Sequence, residues 1–99
     1  MRQNLSFQDI NKASLQHGPW ILNRILPSGR AVGSEWVSVN PKRRDTSLGS
    51  FKVNLLTGRW ADFATGDRGG DLISLIAYLD GISQLSAAKK LAGILGVRG

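Results

Sequence analysis

The 99 residues of this chain fit a single domain and are too few for two. Hydrophobic residues make up 41% of the chain and cysteine is absent, so the composition predicts a folded core and excludes both disulfides and thiolate-based metal sites. The single histidine excludes a multi-histidine metal site, and the net charge of +6 favours a polyanionic partner such as nucleic acid over an inert surface.

The hydropathy pattern contains no membrane segment. No run approaches the roughly 20 apolar residues that a membrane span needs. The first residues, MRQNLSFQDINK, lack the apolar core of a signal peptide. We therefore expect a cytoplasmic protein with no membrane partner.

Two short helices are predicted in the N-terminal third. Ser6 is a candidate N-cap for a helix over residues 5–16. The Gly-Pro pair that follows ends this helix, and a second helix is expected to start at Pro19 and to end before Pro27. Residues 28–30 have the composition of a turn.

The middle of the chain has the alternation of a small antiparallel sheet. Residues 35–40 are rich in β-formers, and residues 50–55 place apolar and polar side chains on opposite faces. Residues 59–63 are predicted to return after a turn at Thr57 and Gly58. The sequence thus predicts three antiparallel strands.

Two helices are predicted at the C-terminal end. Asp71 is positioned to N-cap the first, which ends at Asp80, and Ser83 is positioned to cap the second. Gly96 is a plausible end for this last helix, with Val97 supplying the hydrophobic contact that often accompanies such a glycine.

Four sequence words occur in a specific order: SFKVN at 50–54, WADFATG at 60–66, GGDLISL at 69–75 and LAGILGV at 91–97. In this order and spacing they resemble the zinc-ribbon (CHC2-type) domain at the N-terminus of bacterial and phage DNA primases. The resemblance covers about half of the chain. It implies an α+β fold in one domain, with a zinc-ribbon-like three-stranded antiparallel sheet (33–66) between a helical N-terminal extension (1–32) and two C-terminal helices (70–97).

The resemblance also implies a function. The expected role is binding of nucleic acid, in particular a single-stranded or partly opened DNA template, during phage- or plasmid-type DNA replication. The domain is expected to be non-catalytic, with primer synthesis carried out by another domain or chain. An alternative is a protein-interaction module that docks a replicative helicase or polymerase through the apolar surface of the two C-terminal helices.

The chain departs from this family at the metal site. The family holds zinc with a C-x-x-H pair and a C-x-x-C pair, but the corresponding segments, 39–44 and 63–66, contain neither cysteine nor histidine. We therefore expect no zinc and no other cofactor. Because large aromatic side chains bury much surface, we expect an aromatic cluster in place of the metal, composed of Trp36, Phe51, Trp60 and Phe63.

Basic residues of the sheet region are the candidate phosphate contacts: Lys42, Arg43, Arg44, Lys52, Arg59 and Arg68. Trp60 joins them, because an exposed tryptophan among cations could stack on a base if it shared a face with Lys52. The alternatives are an ordinary solvated strand face for the cations and core packing for Trp60 and Trp36.

No catalytic site is predicted. The glycine-rich loop at 66–70 lacks the Lys and Ser/Thr of a Walker motif, and Asp67 and Asp71 would repel an anion there. The remaining carboxylates are scattered, whereas nucleotide polymerisation needs clustered carboxylates that hold two metal ions. His17 has no nucleophile or metal partner in view.

Overall fold

A computed structural model describes residues 6–42 and 49–96 of the chain. These residues form an α+β fold in which five consecutive strands lie between two pairs of helices. The order is α1 (Phe7–Leu15), α2 (Gly18–Ile25), β1 (Arg30–Val32), β2 (Glu35–Ser38), β3 (Phe51–Asn54), β4 (Trp60–Asp62), β5 (Arg68–Gly69), α3 (Leu72–Asp80) and α4 (Gln84–Leu95).

The three predicted N-caps are confirmed. Ser6 Oγ accepts a hydrogen bond from the Asp9 backbone N–H at 3.1 Å at the start of α1. Asp71 accepts from the N–H of Ser74 at 2.8 Å, and Ser83 Oγ accepts from the N–H of residue 86 at 3.1 Å. Each cap satisfies a backbone donor that has no partner inside its helix.

The sheet has five antiparallel strands in the order β1-β2-β3-β4-β5, so the prediction of three strands is wrong. The two missed strands are the outermost ones. All three residues of β1 are exposed, which removes the apolar alternation by which strands are recognised. Strand β5 is only two residues long and lies inside the segment interpreted as a glycine-rich loop.

Glycines allow both outer strands to form. Gly33 has a φ of 60° and occupies the two-residue turn between β1 and β2, a conformation that other residues rarely adopt. Gly69 in β5 lies against Trp60. A Cβ atom at Gly69 would lie 2.5 Å from both Trp60 Nε1 and Ser74 Oγ, so only a glycine fits there without movement of these groups.

One face of the sheet packs on the helices. Phe51, Val53 and Trp60 are buried on this face, and the indole N–H of Trp36 donates to the Leu26 carbonyl at the end of α2 over 3.1 Å. These side chains form one core with the buried apolar residues of α1–α4. Among the described residues, those on the opposite face of the sheet do not contribute to this core, and we call that face the open face.

The predicted aromatic cluster is partly wrong. The ring of Phe51 lies 5.9 Å from that of Trp60, and Trp60 lies 4.8 Å from Tyr78 of α3, a residue that the sequence did not single out. Phe63 is 70% exposed and does not join the cluster. Its position has the same strand parity as Ala61, whereas Trp60 points to the other face.

Within residues 6–42 and 49–96, no helix is long and apolar enough to cross a membrane.

Candidate nucleic-acid interface

A row of five residues crosses the open face from one outermost strand to the other. Directly opposed residues of an antiparallel pair project from the same face of the sheet. The register therefore aligns, from β1 to β5, Arg30, Val37, Lys52, Ala61 and Arg68. We call this set the basic row; its four inter-strand gaps give it a length of about 19 Å.

The cations of the basic row lie at its two ends and its centre. Arg30 and Arg68 are exposed on the outermost strands. Lys52 projects from the central strand β3 on the face opposite Phe51 and Val53, as predicted. Its Nζ lies 3.9 Å from Glu35 Oε1, and such exposed ion pairs contribute little stability. All three cations therefore have their charge at the surface, and Lys52 can exchange its partner for a phosphate at small cost.

Arg59 lies beside the row's β5 end. It is exposed immediately before β4, and its backbone carbonyl accepts a hydrogen bond from Asn54 at 2.7 Å. Arg59 and Arg68 line a shallow cleft whose floor includes Gly69 and Gly70. The cleft is thus lined by two arginines, the residue type best suited to bidentate phosphate contacts.

Phe63 adds an aromatic ring to the open face. Its backbone N–H donates to the Ser50 carbonyl at 2.7 Å, which extends the β3–β4 ladder by one residue. Lys52 Nζ lies 5.8 Å from the centroid of its ring, so the phenyl group lies next to the centre of the basic row. Because the sequence placed Phe63 in the core, it did not predict that its ring would lie next to Lys52.

Trp60 lies in the core. It is 4% exposed, its indole N–H donates to Ser74 Oγ at 3.0 Å, and it faces away from Lys52. A base therefore has no access to its ring. The structure favours the alternative of core packing for Trp60 and equally for the buried Trp36, and Trp60 is removed from the candidate interface.

The loop after β2 carried three of the predicted contacts. Lys42 is exposed, but its Nζ lies 5.2 Å from the Tyr78 ring centroid rather than along the basic row. Arg43 and Arg44 lie outside the described residues. Arg30, by contrast, belongs to the row but was not predicted, because its position depends on a strand that the sequence pattern does not reveal.

Cations also occur on the helices. Lys12 and Lys89 are exposed there, Arg24 lies 5.2 Å from the centroid of Trp20, and Lys90 pairs with Asp80. Positive charge is therefore not confined to the sheet, and it is the alignment of the basic row, rather than net charge alone, that marks the open face.

A partly buried hydrogen-bond network joins the loops at the end of the sheet. Asn40 Nδ2 donates to Asp62 Oδ2 and to the Tyr78 hydroxyl oxygen, both at 2.8 Å. The Tyr78 hydroxyl in turn donates to Asp67 Oδ2 at 2.7 Å. Asn40 and Asp62 are completely buried. We call Asn40, Asp62, Asp67 and Tyr78 the loop network.

The loop network changes the titration of Tyr78. Burial raises the pKa of Tyr78 above its ordinary value, because it disfavours the phenolate. The hydrogen bond from Asn40 lowers the pKa of Tyr78. The Asp67 carboxylate raises it, because it accepts a hydrogen bond from the protonated hydroxyl and repels the charge of the phenolate.

The residues present do not fit the zinc ion that the resemblance implies. In the two segments where the family places its ligands, described residues 39–42 and 63–66 offer no sulfur or imidazole. Asn40 and the adjacent Asp62 are committed to hydrogen bonds, Asp62 Oδ1 accepting from the Ala64 N–H at 2.8 Å. No group of three or more His, Asp or Glu in the described chain could hold a metal. Hydrogen bonds of the loop network connect these segments instead.

Comparison with known proteins gives a match at the level of structure. No family model matches the chain, and no curated protein does. The chain is similar to the crystal structure of the Aquifex aeolicus primase, comprising zinc-binding and RNA polymerase domains, with a TM-score of 0.73 and 22% sequence identity. The match covers 95% of this chain and 22% of the primase chain, so this chain spans about a fifth of that structure. The likeness shows a primase-like fold.

Proposed function

We propose that this chain is a replication module that binds single-stranded DNA across the open face of its sheet. The observation that carries the proposal is the basic row, in which Arg30, Lys52 and Arg68 cross five strands on the face opposite the core. The primase-like fold supports the link to replication.

The basic row suits a flexible phosphate chain. Each cation that contacts a phosphate releases condensed counterions, which supplies most of the affinity of sequence-independent binding. The basic row is about 19 Å long, so its cations can contact phosphates that are spaced along a short stretch of single-stranded DNA. Val37 and Ala61 separate the cations with short apolar side chains, so a sugar–phosphate backbone can lie close to the sheet.

We further propose that the module is non-catalytic and folds without zinc. The carboxylates of the described residues have structural partners: Asp9 and Asp71 cap helices, and Asp62 and Asp67 belong to the loop network. Asp80 pairs with Lys90, and Glu35 lies near Lys52. This distribution supports primer synthesis by another domain or another chain. A cytoplasmic location belongs to the same proposal.

The test is an oligonucleotide titration with charge-matched variants. Fluorescence anisotropy with a labelled single strand is measured at several salt concentrations for the natural chain and for Arg30→Ala and Arg68→Ala. Lys12→Ala and Lys89→Ala remove one exposed charge each from a helix and serve as controls. Each row variant should weaken binding and make the slope of log K against log salt shallower by about 0.7, the value expected for one lost phosphate contact on a single strand.

The proposal fails under either of two results. The natural chain shows no binding at low salt, or the helix variants weaken binding as much as the row variants do. Circular dichroism of each variant establishes that the fold is retained.

Docking of a helicase or polymerase remains the second candidate. Leu85 in the first turn of α4 is 57% exposed and Ile82, just before its N-cap, is 36% exposed, whereas most apolar side chains of α3 and α4 are buried in the core. If this surface is the functional one, Leu85→Ser should abolish binding to a purified replicative helicase or polymerase and leave the oligonucleotide titration unchanged.

A further inference from the structure

Phe63 is an exposed aromatic residue that lies next to the basic row. Three aromatic side chains of the described residues are substantially exposed: Phe7 and Trp20 on α1 and α2, and Phe63 on the sheet. Phe63 alone among them lies beside the basic row, with Lys52 Nζ 5.8 Å from its ring centroid. A single exposed apolar residue is ordinary on a protein surface, so exposure by itself indicates nothing; the position next to aligned cations does.

The parity of β4 explains why this ring is presented outward. Trp60 and Asp62 pair with Val53 and Phe51 on the buried face, which directs the following residue to the open face. The backbone hydrogen bond from Phe63 to Ser50 fixes the main chain at this point. The sheet therefore fixes the main chain from which the ring projects, while 70% of the residue is accessible.

We infer that Phe63 stacks on an unpaired base of the bound strand and so makes the open face selective for single-stranded over double-stranded nucleic acid. The inference rests on the proposed function and names the feature of the ligand that the same site recognises. Phe63 has no hydrogen-bonding group, so the contact accepts any base, since every base has a π-face.

The selectivity follows from what a duplex exposes. In a duplex each base face is covered by its neighbours, and only phosphates, sugars and base edges reach the surface. The basic row can contact phosphates of either form, but a ring that projects from the open face finds a free base face only on a single strand. Removing the ring should therefore affect one form of nucleic acid and not the other.

The experiment uses three substitutions and one control. Phe63→Ala removes the ring, Phe63→Leu keeps an apolar side chain without a π-face, and Phe63→Trp enlarges the ring. Leu56→Ala is the control, since Leu56 is 75% exposed in the β3–β4 turn and contributes no aromatic face. Each variant is titrated with a single strand, with a duplex of the same sequence, and with a single strand that carries abasic sites.

Phe63→Ala and Phe63→Leu should each weaken single-strand binding by roughly 5- to 150-fold, the range that stacking of one base on an aromatic side chain provides. Phe63→Trp should retain or increase the affinity, and Leu56→Ala should leave it unchanged. Duplex binding should be the same for all variants. With the abasic strand, the natural chain should lose its advantage over Phe63→Ala.

Failure of this inference is distinct from failure of the proposed function. If the natural chain binds single strands and Phe63→Ala binds them equally well, or if duplex affinity falls by the same factor, the stacking role is wrong while the basic row stands. If Phe63→Leu matches the natural chain, the contact is apolar packing and the stacking role is likewise wrong. If the natural chain binds neither form, the proposed function itself fails.

Discussion

Asn40 and Asp62 are completely buried polar residues in a domain of modest size, and they bond to each other over 2.8 Å. No buried side-chain nitrogen or oxygen atom of the described residues lacks a hydrogen-bond partner. A buried polar group left without a partner costs about 1–3 kcal/mol. The loop network therefore holds the segment after β2 against the segment after β4. Breaking one of its buried hydrogen bonds alone costs free energy of folding, because a polar group then stays buried without that partner.

Replacing Asn40 with alanine removes the two hydrogen bonds that its side chain donates, one to the buried carboxylate of Asp62 and one to the Tyr78 hydroxyl. Asn40→Ala should lower the free energy of unfolding by about 1–3 kcal/mol in urea denaturation. Asn23→Ala, at an exposed position on α2, is the matched control and should change it by less than about 0.5 kcal/mol. Equal stability of the two variants would show that the loop network contributes nothing.

Tyr78 should make the fold sensitive to alkaline pH. Because its pKa is raised in the folded state, the hydroxyl stays protonated at pH values where the unfolded chain already ionises. Its contribution to stability is complete below about pH 10, the ordinary tyrosine pKa, and is lost as the pH rises through the higher pKa of the folded state.

Tyr78 is the only tyrosine in the chain, so the ultraviolet absorbance of tyrosinate reports on this one group. The absorbance midpoint should lie above that of the chain unfolded in urea. Above pH 10 the natural chain should lose stability faster than Tyr78→Phe, which cannot ionise at this position. A midpoint at or below the unfolded value would contradict the raised pKa.

At the scale of elements, β5 depends on a close approach of main chain to indole. The Cα of Gly69 leaves room for the Trp60 ring and the Ser74 hydroxyl, which are themselves hydrogen-bonded to each other at 3.0 Å. Strand β5 in turn places Arg68 at the end of the basic row. Arg68 therefore belongs to the basic row only because residue 69 has no side chain.

Gly69→Ala should lower the free energy of unfolding by about 1–3 kcal/mol, the usual cost of overpacking, and should weaken oligonucleotide binding with it. Gly70→Ala is the control, because a Cβ there meets no atom within 4 Å. It should leave the free energy of unfolding nearly unchanged. The measurement is chemical denaturation together with the anisotropy titration; similar results for the two alanines would show that β5 tolerates a side chain.

For the molecule as a whole, the sequence predicted the elements that carry strong local signals. Helices α1, α3 and α4 follow from their caps, and β3 follows from alternation of apolar residues that the structure shows to be buried. Strand β2 follows from its β-forming residues, and β4 follows from the turn at Thr57 and Gly58. Strand β1 has no buried residue and β5 has only two residues, so neither has a hydrophobic pattern to read. Only pairing with their neighbours defines them.

The candidate site could be predicted only in part, because local sequence patterns do not show how neighbouring strands align. Alternation alone placed Lys52 opposite Phe51, but the alignment of Arg30, Lys52 and Arg68 is a property of register across five strands. From the sequence we expected Trp60 and Phe63 in the aromatic cluster and also considered Trp60 for base stacking, whereas the structure buries Trp60 and exposes Phe63. Hydrophobicity favoured burial of both, whereas parity along β4 allows only one, and the same parity buries the polar Asp62.

The placement of Arg30 and Arg68 on the outermost strands has a consequence apart from any ligand. The margins of an open sheet offer unpaired main-chain groups on which a second copy could extend the sheet and start aggregation. Here both margins are short, three residues at β1 and two at β5, and each carries a guanidinium group. Two copies approaching margin to margin would bring like charges together over very little ladder. The same arginines that align on the open face thereby disfavour the extension of one sheet by a second copy.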